Sequence, residues 1–319
     1  MKVLVLNDTS IENHHGCSRV MNAIDRNLSL RGVTDVSYIP MMYPWELDED
    51  LKRAIVTSDQ IIINGEGTLH GDRPHVSRLL AVTRFATAYQ IPVSIINATI
   101  FNLGDMSIEL LKLAFTIFVR DKASQEYLES RGVFSRYCPD LTFWNADSIE
   151  DTPRLELCAV SESLFATVPK GQFKGKLIPF SIKNTNQNYW QSSFLRKRLI
   201  NVQNLLRSLR ISPELISTDN QIEFLNFLSK CAMVITDRYH VVCMSLYCET
   251  PFQYVDGNTP KTTFLLRDVG LDVKRFRYVD PQLITYSGEE RRAIKRFKLN
   301  AQQMITMMFD DICLKKSSV

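Results

Sequence analysis

The chain has 319 residues, of which 45% are hydrophobic, 23% charged and 10% aromatic, and its formal net charge is +3. These proportions exclude collagen-like, mucin-like and disordered proteins. The length exceeds the ~250–300 residues at which single cores stop growing, so we expect two domains. The charge is uneven, with a net of −5 over residues 1–150 and +8 over residues 151–319. A basic second half is consistent with an anionic ligand, although basic surfaces also occur without one.

The first half of the chain alternates short apolar segments with segments of helical periodicity. The predicted strands are 2–6, 36–39, 60–64, 92–96 and 116–119, and the predicted helices are 17–30, 48–58, 79–89 and 123–131. Uninterrupted apolar strands followed by helices are typical of a parallel sheet that is covered on both faces. We therefore predict an α/β domain at residues 1–150.

The alternation weakens around Pro153, Pro169 and Gly171, and we place the domain junction at 151–175. A second α/β domain is predicted at 176–319, with strands 176–182, 214–217, 233–236 and 252–255 and helices 189–209, 221–230 and 240–248. The chain ends in an amphipathic helix with basic residues around its apolar face. We interpret it as a helix that packs back on the body, in preference to a membrane-surface helix.

These patterns predict two Rossmann-like parallel-sheet domains facing a cleft. Open parallel sheets bind ligands at the carboxyl ends of their strands, so the cleft is the expected active site. The seven cysteines include no Cys-x-x-Cys pair, which favours reduced, buried thiols. The N-terminal apolar segment is too short for a signal peptide, and no apolar stretch reaches the ~20 residues of a membrane span. We expect a soluble, cytoplasmic protein.

The strongest candidate for chemistry is the loop Thr236-Asp-Arg-Tyr-His240, which leads from an apolar strand into a nearly all-apolar helix. The start of such a helix favours anions. Arg238 suits a carboxylate or phosphate, and His240 exchanges protons near neutral pH. The alternative, equally open on spacing alone, is that Asp237 caps the helix and pairs with Arg238, while His240 packs in the core.

Three further loops follow predicted strands. Arg120 ends one strand, and Asp121 after it is a predicted helix N-cap with which Arg120 would pair in the alternative reading. Glu66 lies between Gly65 and Gly67, where a carboxylate is suited to act as a general base or to bind a hydroxyl group, and a plain turn is the alternative. The loop after the first strand carries adjacent histidines, which cannot both face one metal ion from a helix, so no metal site is predicted.

Five segments together resemble the polysaccharide pyruvyl transferase family, whose members have a fold like that of GT-B glycosyltransferases. They are Asn13-His-His-Gly-Cys, Gly65-Glu-Gly, Val119-Arg-Asp, Cys138-Pro-Asp140-Leu-Thr-Phe143 and Thr236-Asp-Arg-Tyr-His240. The resemblance implies transfer of a pyruvyl group from phosphoenolpyruvate to sugar hydroxyls of a cell-surface glycan or its lipid-linked precursor. It also implies that neither a cofactor nor a metal is needed.

The resemblance assigns roles to individual residues. Arg120 and Arg238 correspond to the arginines that bind phosphoenolpyruvate, and His240 to the catalytic histidine. With Glu66 these form the predicted catalytic set. The predicted substrate-binding residues are Asn13, His15, Gly65, Gly67, Asp140 and Tyr239.

Two departures from the family pattern keep other functions open. Family members usually have Gly where this chain has Glu66, and the segment 97–104 differs from the usual Gly-rich version. A carboxylate at this position is what an inverting glycosyltransferase with a nucleotide-sugar donor would use as its base. A non-catalytic glycan- or nucleotide-binding protein is the third reading. Nucleic-acid binding is not expected, membrane contact is at most peripheral at the inner face, and the oligomeric state is left open.

Overall fold

The chain is divided between two units, and each unit is built from more than one segment. The computed structural model describes residues 1–144, 153–169, 175–184, 215–257, 259–279 and 283–314. The first unit comprises Met1–Ile11, Val20–Trp144 and Leu299–Val319, and the second comprises Glu12–Arg19 and Asn145–Lys298. This division assigns two segments differently from the predicted domains. Glu12–Arg19 belongs to the second unit and Leu299–Val319 to the first.

The first unit contains a parallel sheet of six strands in the order β2-β1-β3-β4-β5-β6. The strands are β1 (Lys2–Asp8), β2 (Asp35–Pro40), β3 (Gln60–Asn64), β4 (Val93–Ala98), β5 (Thr116–Val119) and β6 (Arg136–Tyr137). Every residue of β3 and β4 is buried. Burial on both faces explains why these strands read as continuous apolar segments rather than alternating ones.

Five α-helices accompany this sheet along the chain. They are α1 (His15–Leu30), α2 (Glu49–Val56), α3 (Pro74–Ala88), α4 (Asp105–Lys112) and α5 (Lys122–Ser130). Three short 3-10 helices lie at Thr9–Glu12, Trp45–Leu47 and Leu141–Phe143. Asp121 accepts a hydrogen bond from the backbone N–H of Ser124, which confirms the predicted N-cap of α5.

The second unit contains a parallel sheet in the order β11-β10-β7-β8-β9 among its described residues. The strands are β7 (Leu155–Ser161), β8 (Lys176–Asn184), β9 (Ile216–Thr218), β10 (Cys231–Thr236) and β11 (Phe252–Tyr254). The helices are α6 (Gln221–Lys230), α7 (Tyr239–Tyr247), α8 (Lys261–Val269), α9 (Val273–Phe276) and α10 (Gly288–Leu314), and α10 passes into the first unit at Leu299. The predicted helix 189–209 lies outside the described residues.

Several elements are absent from the sequence prediction. Strand β7 falls inside the segment predicted as the domain junction. Its first residues, Leu155 and Glu156, are exposed, and only Cys158–Ser161 is buried, so the apolar signal is short. Helices α4 and α8 were also not predicted.

Helix α10 confirms the predicted amphipathic helix at the end of the chain. Its buried side chains include Ile294, Ala301, Ile305 and Ile312, so its apolar face is packed against protein. Among the described residues, no helix combines the length and the apolar character that crossing a membrane requires.

Both sheets contain a point at which the strand order reverses. In the first sheet β1 lies between β2 and β3, and in the second β7 lies between β10 and β8. Ligands of open α/β sheets bind at the carboxyl ends of the strands beside such a point. The residues that follow β1, β3, β7 and β10 are therefore the structural candidates for binding.

Candidate functional site

The carboxyl ends of β1 and β3 hold a buried polar cluster in the first unit. Glu66 is 4% exposed, and its Oε2 accepts hydrogen bonds from Thr9 Oγ1 at 2.6 Å and from Asn64 Nδ2 at 3.4 Å. Asn7, with a left-handed φ of 66°, donates from Nδ2 to the Asn64 carbonyl at 2.6 Å and to Thr68 Oγ1 at 3.0 Å. The predicted carboxylate is thus held in a fixed position where the strand order reverses.

Different structural constraints favour glycine at the two positions beside Glu66. A Cβ on Gly65 would lie 2.5 Å from the Cβ of Ala98, because the ends of β3 and β4 approach closely there. Gly67 has a φ of +66°, in the left-handed region that favours glycine. Both positions thus shape the turn that carries Glu66. Their predicted contact with substrate stays a prediction.

Arg120 forms a buried ion pair at the end of β5. Its side chain is 1% exposed, and Nη1 lies 2.9 Å from Oδ2 of Asp140, whose side chain is 0% exposed. Nε donates to Thr99 Oγ1 at 2.8 Å, and Thr99 donates in turn to Asp121 at 2.7 Å. Burial is the main cause that raises the pKa of Asp121, and hydrogen bonds from Ser124 and Thr99 oppose it. Arg120 therefore forms its ion pair with Asp140, which lies beyond α5 in the chain. It also acts on the cap of α5, because Thr99 links the two side chains and the charge of Arg120 lowers the pKa of Asp121.

In the second unit, His240 packs directly on the first turn of α1. A Cβ built on Gly16 would lie 2.3 Å from the Cβ of His240 and 2.5 Å from its Nδ1. The ring of Tyr239 meets that of His240 edge-on, with 5.4 Å between centroids. Tyr239 itself is 5% exposed. The imidazole of His240 is thus confined between a glycine and an aromatic ring.

Arg238 occupies the N-cap position of α7, where the sequence alternative placed Asp237. Its side chain is 43% exposed, and Nε lies 3.3 Å from Oδ1 of Asp237. Asp237 also accepts a hydrogen bond from Ser163 Oγ at 2.7 Å. An ion pair this exposed contributes little to stability. A guanidinium at the start of a helix, accessible to solvent, is well placed to bind an anion.

Asn13 and His15 are fixed by residues of β8, β9 and α6. Asn13, with a φ of 57°, donates from Nδ2 to the carbonyl of Asn184 at 2.8 Å. The Nε2 of His15 lies 2.9 Å from Thr218 Oγ1, and its ring stacks on Phe224 at 4.4 Å. Burial, followed by the nearby His14, lowers the pKa of His15 to about 3, so this imidazole is neutral.

The predicted residues fall into four local groups, of which Asn13 and His15 at the start of α1 are one. Gly65, Glu66 and Gly67 form one turn, and Arg120 pairs with Asp140, both in the first unit. Arg238, Tyr239 and His240 surround the start of α7 in the second unit. Sequence reasoning missed Thr9, Gly16 and Thr218. Gly16 belongs to the quoted Asn13–Cys17 segment and could have been singled out there, whereas no local signal marks Thr9 or Thr218.

A model of the family described as polysaccharide pyruvyl transferase matches residues 15–258, more than half of the chain. No match is found among curated proteins.

Solved structures with a similar fold include two UDP-GlcNAc 2-epimerases. The enzyme from Neisseria meningitidis, bound to UDP-GlcNAc, has a TM-score of 0.51 and 14% identity, covering 99% of this chain and 100% of the other. The enzyme from Rickettsia bellii has a TM-score of 0.51 and 10% identity, covering 99% and 96%. At these identities the likeness concerns the fold alone. It agrees with the predicted GT-B-like α/β class with two parallel sheets.

Proposed function

The chain belongs to the polysaccharide pyruvyl transferase family, and we propose that it transfers a pyruvyl group from phosphoenolpyruvate to sugar hydroxyls. The acceptor is a cell-surface glycan or its lipid-linked precursor. The observation that carries the proposal is the start of α7, where an exposed arginine stands two residues from a confined histidine. This pair has the properties that a phosphorylated carboxylic acid requires of its site.

Arg238 is proposed to bind the anionic donor. Its guanidinium is accessible, and its ion pair with Asp237 costs little to rearrange because both side chains are partly exposed. The dipole of α7 adds partial positive charge at the same place. A planar guanidinium binds a carboxylate or a phosphate through two parallel hydrogen bonds. The departing phosphate would gain the same stabilisation as negative charge develops on it.

His240 is proposed as the general acid. Protonation of the enol methylene converts it to a methyl group, and a sugar oxygen then bonds to the adjacent carbon. Phosphate then leaves, as the bond between this carbon and the phosphate oxygen breaks. A second sugar hydroxyl bonds to the same carbon and closes the ketal. The two hydroxyl protons balance the proton taken up by the methylene and the proton carried by the released phosphate. Confinement by Gly16 and Tyr239 would fix the direction in which the imidazole donates.

Arg120 is the second arginine that the resemblance assigns to the donor. Its burial and its bonds to Asp140 and Thr99 support a positioning contribution, in which the ion pair fixes the loop after β6. Direct contact with phosphoenolpyruvate requires access to a side chain that is 1% exposed.

Glycosyl transfer from a nucleotide sugar is the second candidate. The observation that favours it is Glu66, a carboxylate held at the point where the strand order of the first sheet reverses. A fixed carboxylate is suited to deprotonate an acceptor hydroxyl. In that case Arg238 and the start of α7 would bind the donor's phosphates.

We propose that the protein acts in the cytoplasm, with at most peripheral contact at the inner face of the membrane, because the precursors of surface glycans are built at that face. It includes no nucleic-acid partner. A cofactor and a metal are not required for the chemical steps described above.

A thermal-shift panel with phosphoenolpyruvate, UDP, CMP and GDP tests the proposal. A ligand that binds the native state stabilises it by about 2.7 kcal/mol at a hundred times its dissociation constant. We expect phosphoenolpyruvate to raise the Tm, and release of inorganic phosphate when a glycan acceptor is added. Stabilisation by a nucleotide without any response to phosphoenolpyruvate would reject pyruvyl transfer in favour of glycosyl transfer.

A further inference from the structure

Three side chains with metal-binding atoms converge at the start of α1 in the second unit. Nδ1 of His14 lies 3.8 Å from Oε2 of Glu12, and Sγ of Cys17 lies 3.8 Å from the same oxygen. All three ligand atoms lie within 4.8 Å of one another. From this geometry we propose that Glu12, His14 and Cys17 bind a divalent metal ion of the zinc class.

Two of the three separations between ligand atoms are close to what such an ion needs. Zinc binds cysteine sulfur at about 2.3 Å and histidine nitrogen or carboxylate oxygen at about 2.0–2.2 Å, with tetrahedral angles. Ligand atoms in that arrangement are separated by roughly 3.5 Å. The two distances of 3.8 Å to Glu12 are within a few tenths of an ångström of that value. The histidine nitrogen and Sγ of Cys17 lie within 4.8 Å of each other, so the side chains would move closer together on binding.

The ligand types also select the metal. A thiolate and an imidazole favour zinc and related transition metals, whereas magnesium and calcium prefer oxygen ligands. Three protein ligands leave a fourth tetrahedral position for water or another small ligand. Cys17 is 3% exposed, while the side chains of His14 and Glu12 are 26% and 44% exposed, so an ion could enter from the Glu12 side.

The loop that carries these ligands is held in place by other residues. Asn13 lies between two of them, and it exchanges hydrogen bonds with Asn184 in both directions, at 2.8 and 3.0 Å. Asn184 also donates to Ser18 Oγ at 3.0 Å. A loop fixed in advance reduces the entropy lost when a metal binds. Because Gly16 lies between the ligands His14 and Cys17, the ion would also hold in place the turn on which His240 packs.

Binding is tested with the full-length protein, treated with chelator and titrated with Co²⁺ alone. We expect one equivalent per chain and a thiolate-to-cobalt charge-transfer band in the near ultraviolet, which Zn²⁺ removes by competition. Coordination displaces the thiol proton, so about one proton per metal should be released. Cys17→Ser should lose the band, and Glu12→Gln and His14→Gln should each weaken binding by at least roughly tenfold.

Matched controls are Cys313→Ser and His75→Ala, which change a thiol and an imidazole outside the cluster and should bind Co²⁺ as the unchanged protein does. Glu12→Gln alters an exposed side chain, so it keeps the test valid if Cys17→Ser fails to fold. A band that persists in Cys17→Ser, equal affinity in Glu12→Gln and His14→Gln, or the lack of stoichiometric binding would overturn the proposal. The titration contains no phosphoenolpyruvate, so its result is independent of the proposed activity.

Discussion

Gly16 and His240 are in such close contact that a methyl group on the glycine would overlap the imidazole. A Cβ on Gly16 would lie 2.5 Å from both Cγ and Nδ1 of His240, which is closer than non-bonded atoms approach. Helix α1 therefore accommodates His240 only because residue 16 has no side chain. This contact explains why glycine follows the two histidines in the Asn13–Cys17 segment.

Gly16→Ala should displace His240 and reduce turnover by about a hundredfold, because a misplacement of about 1 Å is enough for such a loss. We expect destabilisation of about 1–3 kcal/mol from overpacking. Steady-state kinetics and urea unfolding measure the two effects. Gly288→Ala is the matched control, since a Cβ there meets its nearest atom at an ordinary 3.6 Å. Unchanged turnover in Gly16→Ala would show that the position of His240 is not critical.

His240→Ala should abolish turnover while the protein remains folded. The imidazole is the proposed proton donor, and alanine leaves no group to replace it. Phosphate release from phosphoenolpyruvate in the presence of acceptor measures the loss, and circular dichroism checks the fold. His75→Ala should retain full activity. Near wild-type turnover in His240→Ala would mean that the acid is another residue.

Arg238→Ala should lower kcat/KM by about 10²–10³, the usual loss when one charge-stabilising donor is removed. Stability should change by no more than about 0.5 kcal/mol, because the side chain is 43% exposed. Arg238→Lys keeps the charge but loses the planar fork, so it should recover only part of the activity. The control is Arg53→Ala, whose side chain is 70% exposed and pairs with Asp50 on the same helix. If Arg53→Ala and Arg238→Ala behaved alike, Arg238 would have no special role.

Arg120→Ala should destabilise the protein by about 3–5 kcal/mol, because it leaves the carboxylate of Asp140 buried without its partner. Urea unfolding of Arg120→Ala, Asp140→Ala and the double variant gives the coupling energy between the two side chains. We expect the double variant to be less destabilised than the sum of the single ones. Additive losses would contradict the ion pair. A raised KM for phosphoenolpyruvate in Arg120→Lys, with stability retained, would support direct donor contact.

Glu66→Gln separates the two candidate reactions. The amide oxygen can still accept the hydrogen bond from Thr9, so the turn should keep its structure. Under pyruvyl transfer the loss of rate should be small unless Glu66 binds the acceptor, in which case KM for the acceptor rises. Under glycosyl transfer most of the rate should disappear, because the base is lost. Thr9→Val removes the hydrogen-bond donor alone and shows how much the positioning of the carboxylate contributes.

The sheets could largely be predicted because a strand that is buried on both faces has apolar side chains at consecutive positions. The predicted bounds of β3 and β5 agree with the structure, as do those of α6. Strand β7 escaped prediction because its first residues are exposed and its apolar part is only four residues long. The N-cap of α5 could also be predicted, because Asp121 bonds to the backbone only three residues away and its position before the helix suggests that bond.

The loops that carry the candidate residues could be located from the sequence, whereas the contacts of these residues could not. Loops after strands pointed to Glu66, Arg120 and Arg238, because the carboxyl ends of parallel strands are where such sheets bind ligands. The pairing of Arg120 with Asp140 and the contact of Gly16 with His240 join distant parts of the chain. No periodicity or spacing encodes such contacts, so they emerge only from the fold.

The division of the chain into interleaved segments constrains how this protein can be cut or recombined. Residues 12–19 belong to the second unit although most of that unit begins at residue 145, and residues 299–319 belong to the first. Cleavage at any one peptide bond therefore leaves at least one fragment without a segment that its own unit uses. Exchanging a unit with that of a relative would require transplanting every one of its segments. Neither unit can be transferred as one continuous segment, so protein engineering should proceed by substitution within the intact chain.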